Sequence, residues 1–280
     1  MSQYICVDIG GTSIKHGVLD ENAIIKECNQ TKTEAWLGGA AVLDKVKTIG
    51  KQYKEQYENI EGICISTAGM VDPEEGKIVF AGELMPDYTG TCIKKELEKA
   101  LEMPCEVEND VNCAGLAEYV SGSAKESHIM FCATVGTGIG GCAIVNGRVF
   151  HGASNSACEV GYIPMGDSDF QTLGASSILV RKVAEKKIEP LDMWDGKKIF
   201  ALAEKGDKVC ISAIKEMCDV LGKGLATICY VLNPDTIVLG GGIMVQKKIL
   251  ENEIRDSLNR YLRPILAEHL QVCFAEYGNE

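Results

Sequence analysis

The segment Asp8-Ile9-Gly10-Gly11-Thr12, followed by Lys15, combines residue types that bind phosphate and metal ions. Glycines in a turn between two strands let backbone N–H groups approach a phosphate, and Thr12 and Lys15 add donors. A carboxylate at the end of a strand, here Asp8, can hold a metal ion or its water. Taken alone, the pattern is equally typical of a plain hairpin with glycines, so both interpretations stay open.

Gly136-Thr137-Gly138-Ile139-Gly140-Gly141 has the glycine spacing of a dinucleotide-binding fingerprint. That fingerprint needs a helix directly after it, whereas residues 142–150 have the pattern of a β-hairpin around Asn146-Gly147. We therefore interpret the segment as a second phosphate-binding hairpin. Gly240-Gly241-Gly242 follows a buried strand and is a third point where a nucleotide could approach the backbone, although a plain turn fits equally well.

Glu108-Asn109-Asp110-Val111-Asn112 places polar side chains at the junction of a short strand and a helix. A general base needs a carboxylate in such a position, and Asp110 is the candidate. The structural alternative is that Asp110 is the N-cap of the helix, which is the more common role of an Asp in this context.

Hydrophobic periodicity predicts the elements that carry these segments. The predicted strands span residues 4–9, 14–19, 23–27, 61–67, 105–108, 128–135, 142–145, 148–150 and 236–239. The predicted helices span 36–57, 94–101, 111–120 and 214–232. The first thirty residues form an antiparallel meander, and residues 128–150 repeat its layout. Two α/β halves of similar plan predict an N-terminal lobe at 1–120, a C-terminal lobe at 121–280 and a cleft between them.

Composition and charge exclude several classes of protein. The 280 residues include 28 Lys plus Arg and 40 Asp plus Glu, so the net charge of −12 disfavours binding to nucleic acid or an anionic membrane. No apolar run approaches the roughly 18 residues of a membrane span, and the N-terminus lacks the pattern of a secretory signal. The thirteen cysteines contain no CxxC pair and are interpreted as small buried residues of a cytoplasmic protein.

Five segments occur in an order typical of one family: residues 8–12, 108–112, 136–141, 158–162 and 233–242. Together they resemble the ROK (repressor, open reading frame, kinase) family of sugar kinases and regulators, over essentially the whole chain. The resemblance implies an α/β, actin-like ATPase (ribonuclease H-like) fold with a hexokinase-type cleft, in which two lobes close on a sugar and ATP.

The resemblance also implies roles for individual residues. For ATP it implies Asp8, Gly10, Gly11, Thr12, Lys15, Gly136, Thr137, Gly138, Gly140, Gly240 and Gly241. Asp8 would also serve Mg²⁺ through water or phosphate. For the sugar it implies Gly69, Asn109, Glu159 and Tyr162, with Asp110 as the catalytic base.

The sequence departs from the family pattern in three places. Many members have His where this chain has Tyr162, followed by a zinc-binding cysteine cluster, but no Cys or His occurs from 161 to 209. A closed structural zinc site needs about four such ligands, so we predict that zinc is absent. The Glu that follows the cluster and contacts the sugar is replaced by Gln171 or Thr172, and the sequence leaves this choice open. The chain stops at Glu280, so the family's final helix is expected to be absent.

Two classes of function fit this resemblance. ROK repressors carry a DNA-binding segment before the kinase-like body, and because Asp8 lies so near the first residue, no such segment is expected here. A sugar sensor without catalysis is an alternative, but the retained Asp110, Lys15 and both phosphate motifs favour an enzyme. The predicted activity is ATP-dependent phosphorylation of a hexose hydroxyl at C6, as in glucokinases. A β-glucoside or disaccharide 6-kinase and an N-acetylmannosamine kinase are the alternatives, and a homodimer is expected.

Overall fold

The computed structural model describes residues 2–82 and 85–277, and these form two compact units. The first consists of Met1–Cys113 and His151–Ser156, and the second of Ala114–Phe150 and Ala157–Glu280. Each unit has its own hydrophobic core.

The first unit is built on a five-stranded mixed sheet, and β5 and β6 form a separate two-stranded sheet. The strands of this unit are β1 (Gln3–Ile9), β2 (Ser13–Asp20), β3 (Ile25–Lys32), β4 (Ile60–Thr67), β5 (Met70–Asp72), β6 (Lys77–Phe80) and β7 (Cys105–Asn109). Its helices are α1 (Gly39–Gln56), α2 (Ile93–Leu101) and the start of α3 (Asp110–Val120), which continues into the second unit. The main sheet has the order β3-β2-β1-β4-β7, with β1 to β3 antiparallel and β1, β4 and β7 parallel. The predicted antiparallel meander is confirmed.

The second unit repeats this plan with further helices. Its strands are β8 (Ile129–Val135), β9 (Ile139–Val145), β10 (Arg148–Val149), β11 (Pro164–Met165), β12 (Ser168–Asp169), β13 (Thr236–Gly240) and β14 (Gln271–Phe274). The helices are α4 (Phe170–Gly174), α5 (Ser176–Lys187), α6 (Gly196–Glu204), α7 (Lys208–Leu232), α8 (Lys247–Tyr261) and α9 (Pro264–Ala267). The sheet order β10-β9-β8-β13-β14 has the same succession of antiparallel and parallel neighbours as the first sheet. The predicted repeat of layout is confirmed.

The predicted hydrophobic periodicities correspond to buried faces of the strands and helices. In β1 every second residue, Ile5, Val7 and Ile9, is buried, and α1 buries Val42 and Val46 in the same core. Helix α1 starts at Gly39 rather than at Trp36, because residues 35–37 form a separate 3₁₀ turn. The long helix α7 was predicted from its apolar face and starts six residues earlier than predicted, where Asp207 accepts the Cys210 N–H as the N-cap.

The cysteine prediction is only partly right. All thirteen are free thiols, and six of them are buried. Cys28 and Cys64 are exposed, because each lies on the face of its strand that is turned away from the core.

Two predictions concern what the chain lacks. Among residues 2–82 and 85–277, no helix is both long and apolar enough to cross a membrane. The expected absence of the family's final helix concerns Gly278–Glu280, which lie outside the described residues, so it stays a prediction.

Candidate active site

Asp8, Ser66 and Glu108 lie at register positions next to one another at one edge of the first sheet. The strand register places Asp8 of β1 beside Ser66 of β4, and Ser66 beside Glu108 of β7. Ser66 Oγ donates to Asp8 Oδ1 over 2.6 Å. Because the carboxyl ends of neighbouring parallel strands lie at the same edge, this edge collects side chains that the sequence keeps far apart.

The first glycine turn lies at the same edge, between β1 and β2. Gly10 N–H donates to Ser13 O over 3.1 Å, and Asp8 pairs with Lys15 across the two strands. Thr33 fixes the turn from outside, because its Oγ1 donates to Gly10 O over 2.6 Å and its N–H to Thr12 O over 3.1 Å. The residues predicted for the first phosphate motif, Gly11 among them, are therefore gathered in one short hairpin.

Asn109, and not Asp110, is the N-cap of helix α3. Asn109 Oδ1 accepts the backbone N–H groups of Val111 over 2.9 Å and Asn112 over 3.1 Å. Asp110 is the first residue of the helix. The alternative prediction that Asp110 is the N-cap is therefore wrong, because Asn109 has that role.

Asp110 is an exposed carboxylate whose orientation is fixed by neighbouring donors. Its Oδ1 accepts Asn109 Nδ2 over 3.0 Å and the Val111 N–H over 2.9 Å. The protein atoms packed around the carboxyl raise the pKa of Asp110, and the negative charge of Asp8 raises it further. The two hydrogen bonds act in the opposite direction without cancelling the rise. A raised pKa makes this carboxylate a better proton acceptor than an ordinary Asp.

Asn109 also connects helix α3 to the loop after β4. Its Nδ2 donates to Gly69 O over 2.9 Å, in addition to the bond to Asp110. Both donor hydrogens and both acceptor lone pairs of the Asn109 amide are thus used within the protein. Gly69 has a φ of +102°, and a Cβ there would lie 2.7 Å from Phe80 O, so only glycine fits. Three of the residues predicted for sugar binding and catalysis therefore lie together.

His151, which was not predicted from the sequence as a site residue, contacts this cluster. His151 Nε2 lies 2.7 Å from Glu108 Oε2. Glu108 Oε1 accepts the Asn109 N–H over 2.7 Å and Asn112 Nδ2 over 2.9 Å. His151 is 43 residues from Glu108 in the chain, and no local pattern marks it.

In the second unit, the glycine turn after β8 is held by the start of helix α5. Gly136 N–H donates to Gly138 O over 2.9 Å, and Gly136 O accepts both the N–H and the Oγ of Ser176 over 2.9 and 2.6 Å. Ser177 Oγ donates to Thr137 O over 2.9 Å. The turn is shorter than predicted, because Gly140 already lies in strand β9 opposite Thr134.

The third glycine segment meets the second at the edge of the second sheet. Gly240 is the last residue of β13 and pairs with Thr134 of β8, so the predicted turn begins one residue later. Gly241 has a φ of +95°, and a Cβ there would lie 2.6 Å from Val135 N. The second and third glycine segments therefore lie at the carboxyl ends of the neighbouring parallel strands β8 and β13.

The remaining predicted residues also lie in the second unit. Glu159 is exposed and precedes a 3₁₀ turn that ends at Tyr162, whose side chain is 59% exposed. Gln171 Oε1 lies against Gly138 and Gly161, at 2.9 and 2.8 Å from the positions that Cβ atoms would take there. Thr172 instead donates its N–H to the helix cap Asp169. The side chain packed against the glycine turn is therefore that of Gln171.

The described residues contain no group of three or more His, Cys, Asp or Glu side chains that could hold a metal ion. Mg²⁺ in kinases is held by one or two carboxylates together with phosphate oxygens and water, so it needs no such group. Asp8, oriented by Ser66, fits that donor set. The predicted absence of zinc stays a prediction.

Comparison with known proteins gives matches over nearly the whole chain. The model described as "ROK family" matches residues 4–280. An uncharacterised protein of Clostridium perfringens is 44% identical over 280 residues, covering 100% of this chain and 94% of that protein. A β-glucoside kinase of Klebsiella pneumoniae is 31% identical over 245 residues, covering 85% of this chain and 80% of the enzyme.

The chain is also similar over nearly its whole length to solved structures. The ROK family glucokinase of Streptomyces griseus, in complex with glucose and AMPPNP, is 27% identical with a TM-score of 0.82, covering 99% of this chain and 95% of that one. The predicted actin-like ATPase fold class is confirmed by such neighbours.

Proposed function

Since this chain belongs to the ROK family and is a carbohydrate kinase, we propose that it transfers the γ-phosphate of ATP to the C6 hydroxyl of a hexose, as a glucokinase does. The observation that carries the proposal is the state of Asp110. Its carboxylate is not used as a helix cap, is oriented by Asn109 and has a raised pKa. This combination suits a general base better than a structural role.

Asp110 is the proposed catalytic base. It accepts the proton of the sugar hydroxyl while that oxygen attacks the γ-phosphorus and the bond from phosphorus to the bridging oxygen of ADP breaks. The transfer is direct and needs no covalent enzyme intermediate. When bound, Mg²⁺ neutralises phosphate charge, and Asp8 would hold it through water or phosphate oxygens.

The glycine segments are proposed to bind the nucleotide. Gly10, Gly11, Thr12 and Lys15 would supply donors for phosphate, as would Gly136, Thr137, Gly138 and Gly140, and Gly240 and Gly241 would approach the adenosine. The turn carbonyls of Gly10 and Gly136 each accept a hydroxyl donor from elsewhere in their own unit. Because these bonds fix both turns before any ligand arrives, little conformational entropy is lost on binding.

Gly69, Asn109, Glu159, Tyr162 and Gln171 are proposed to contact the sugar. To do so, Asn109 would exchange one of the protein partners of its amide for a sugar hydroxyl. Gln171 takes the place of the family's second sugar-contacting Glu, because its side chain packs against Gly138 and Gly161. An amide in place of a carboxylate still bonds to sugar hydroxyls, both as a donor and as an acceptor.

A β-glucoside or disaccharide 6-kinase is the second candidate. The similarity to the Klebsiella β-glucoside kinase favours it, as does the exposed aromatic face of Tyr162. An N-acetylmannosamine kinase is a further alternative that the sequence predicts. Cytoplasmic location, homodimer assembly and the absence of nucleic-acid and membrane partners stay predictions from the sequence.

The test is ADP release with Mg-ATP and a panel of glucose, methyl β-glucoside, cellobiose, fructose and N-acetylmannosamine. We expect sugar-dependent ADP release with at least one of them. ADP release no faster than without sugar, for every member, would contradict the kinase proposal. For the best sugar, the 6-deoxy analogue tests the position: turnover of that analogue would contradict transfer to C6.

A further inference from the structure

Glu108 lies at the centre of a hydrogen-bond network that ends at the proposed base. One carboxylate oxygen, Oε1, accepts both the Asn109 N–H and Asn112 Nδ2. The other, Oε2, lies 2.7 Å from His151 Nε2. The side chains of Glu108 and His151 are only 17% and 26% exposed, so water has limited access to either.

The carboxylate of Glu108 is one of three that surround the start of helix α3. Burial, together with the negative charges of Glu108, Asp110 and Asp8, raises the pKa of the Cys113 thiol to about 12. A charged group in such surroundings needs donors to hold it in one place, because it is repelled by its neighbours and poorly hydrated. His151 supplies the donor for the oxygen that faces away from Asn109.

We propose that His151 is a positioning residue for Asp110 and that it acts through Glu108. The inference rests on the proposed function, in which Asp110 is the base. With His151 Nε2–H in place, Glu108 is held in the orientation that binds the Asn109 N–H. Asn109 in turn caps α3 and donates to Asp110. Without that donor, Glu108 turns toward water, its bond to the Asn109 N–H weakens and the Asp110 carboxylate loses its fixed orientation.

The segment that carries His151 supports this assignment. His151–Ser156 belongs to the first unit, although the residues on both sides of it belong to the second. The bond to Glu108 joins the His151 ring to strand β7 of this unit. A purely structural role is the alternative, in which His151 only fixes its own segment.

Two substitutions separate these roles. In His151→Gln the amide nitrogen can occupy nearly the place of Nε2 and keep the donor, whereas in His151→Asn the shorter side chain cannot reach Glu108. We expect His151→Asn to lower kcat by roughly 10- to 100-fold with little change in the KM for ATP, because displacement of a catalytic group mainly affects the chemical step. His151→Gln should recover most of the loss. His269→Asn, at an exposed histidine of the second unit, is the matched control.

Hydrogen exchange of the backbone amides gives a readout that does not depend on activity. We expect faster exchange of the Asn109 and Asn112 amides in His151→Asn than in the wild type or in His151→Gln. Equal kcat and equal exchange in His151→Asn and the wild type would overturn the proposal. Equal losses in both variants would also overturn it, because they would show a structural role that no donor restores.

The remaining outcomes are also informative. If the wild type phosphorylates no sugar, the proposed function fails, while the exchange rates still decide whether His151 orders Asn109. If His151→Asn does not fold, the variants Glu108→Gln, His151→Ala and their combination replace it. Because the two residues act as one unit, the double variant should lose little more than the worse single variant, and full additivity would overturn the proposal.

Discussion

Ser66 Oγ donates a 2.6 Å hydrogen bond to Asp8 Oδ1 and thereby connects strands β4 and β1 at the edge where both end. Bonds from a hydroxyl to a carboxylate are shorter and stronger than neutral ones. The bond fixes the direction of the carboxylate that is proposed to serve Mg²⁺. The residue that orients this proposed metal-binding carboxylate is therefore 58 positions away from it in the sequence.

The first prediction concerns this bond. Ser66→Ala removes the donor, so we expect a higher Mg²⁺ concentration for half-maximal activity and a loss of about 1–2 kcal/mol in the free energy of unfolding. Ser66→Thr keeps the hydroxyl and suits a strand, so it is the control. Titration of activity with Mg²⁺ at saturating ATP and sugar measures the effect. An unchanged Mg²⁺ requirement in Ser66→Ala would show that Ser66 does not orient Asp8 for the metal.

The second prediction concerns catalysis by Asp110. Asp110→Asn keeps the size and the hydrogen bonds of the side chain but removes the base, so kcat should fall by roughly 10² to 10⁴. Sugar affinity, measured by calorimetry, should change little. In the wild type, the acid limb of the pH profile of kcat/KM should lie above the ordinary pKa of an Asp, because the pKa of Asp110 is raised. Near-normal turnover in the variant would remove Asp110 from the mechanism.

The third prediction links the same pKa to stability. A carboxyl whose pKa is higher in the folded than in the unfolded protein binds its proton more tightly when folded, so stability falls as pH rises from the ordinary Asp pKa through the raised one. Asp110→Asn removes this penalty. We expect the variant to be more stable than the wild type at pH 7, by a small amount because Asp110 is exposed and solvent screens its charge. The difference should shrink as the pH is lowered through this window. Denaturant unfolding at several pH values tests it, and equal stability at pH 7 would count against a raised pKa.

Features coded by neighbouring residues were predicted well. The meander and its repeat follow from Gly10-Gly11 and Asn146-Gly147, which mark turns between apolar strands. Helix α7 follows from one continuous apolar face. These signals are local, so a single sequence is sufficient to read them.

Features that depend on register or on distant residues were not predicted. Whether Asn109 or Asp110 caps α3 is a difference of one position, which composition does not resolve. The bonds of Asp8 to Ser66 and of Glu108 to His151 depend on which strands and segments become neighbours. The short hairpin of β5 and β6 was missed because neither strand is long enough to show a period.

The fourth prediction concerns a reactive thiol. Cys6 and Cys64 are free thiols at register positions opposite each other on β1 and β4, and a hydrogen bond from Cys6 lowers the pKa of the exposed Cys64 below that of an ordinary cysteine. Because the thiolate is the nucleophile, we expect the rate at which iodoacetamide labels Cys64 to rise with pH with a midpoint below that of an ordinary cysteine. Cys6→Ala removes the donor and should move the midpoint up towards the roughly 8.5 of an ordinary cysteine. Mass spectrometry of labelled peptides follows each thiol. A midpoint that is the same in both proteins would contradict the role of Cys6.

The fifth prediction concerns the choice of sugar and rests on Tyr162. Its side chain is 59% exposed at the end of the 3₁₀ turn that follows Glu159. An aromatic ring offers a flat apolar face that can stack on a pyranose, with one hydroxyl as a polar contact. With no zinc cluster expected after Tyr162, the site should tolerate a substituent on C1.

We therefore expect cellobiose or methyl β-glucoside to be phosphorylated with a kcat/KM within about 10³ of that of glucose, a factor equivalent to some 4 kcal/mol. Tyr162→Ala removes the stacking face and should lower kcat/KM for the C1-substituted sugars by roughly tenfold, whereas Tyr162→Phe keeps the face and is the control. The comparison of the three proteins on glucose and on one β-glucoside measures both effects. Rejection of every C1-substituted sugar by more than about 10³ would defeat the open-site argument and favour a strict glucokinase.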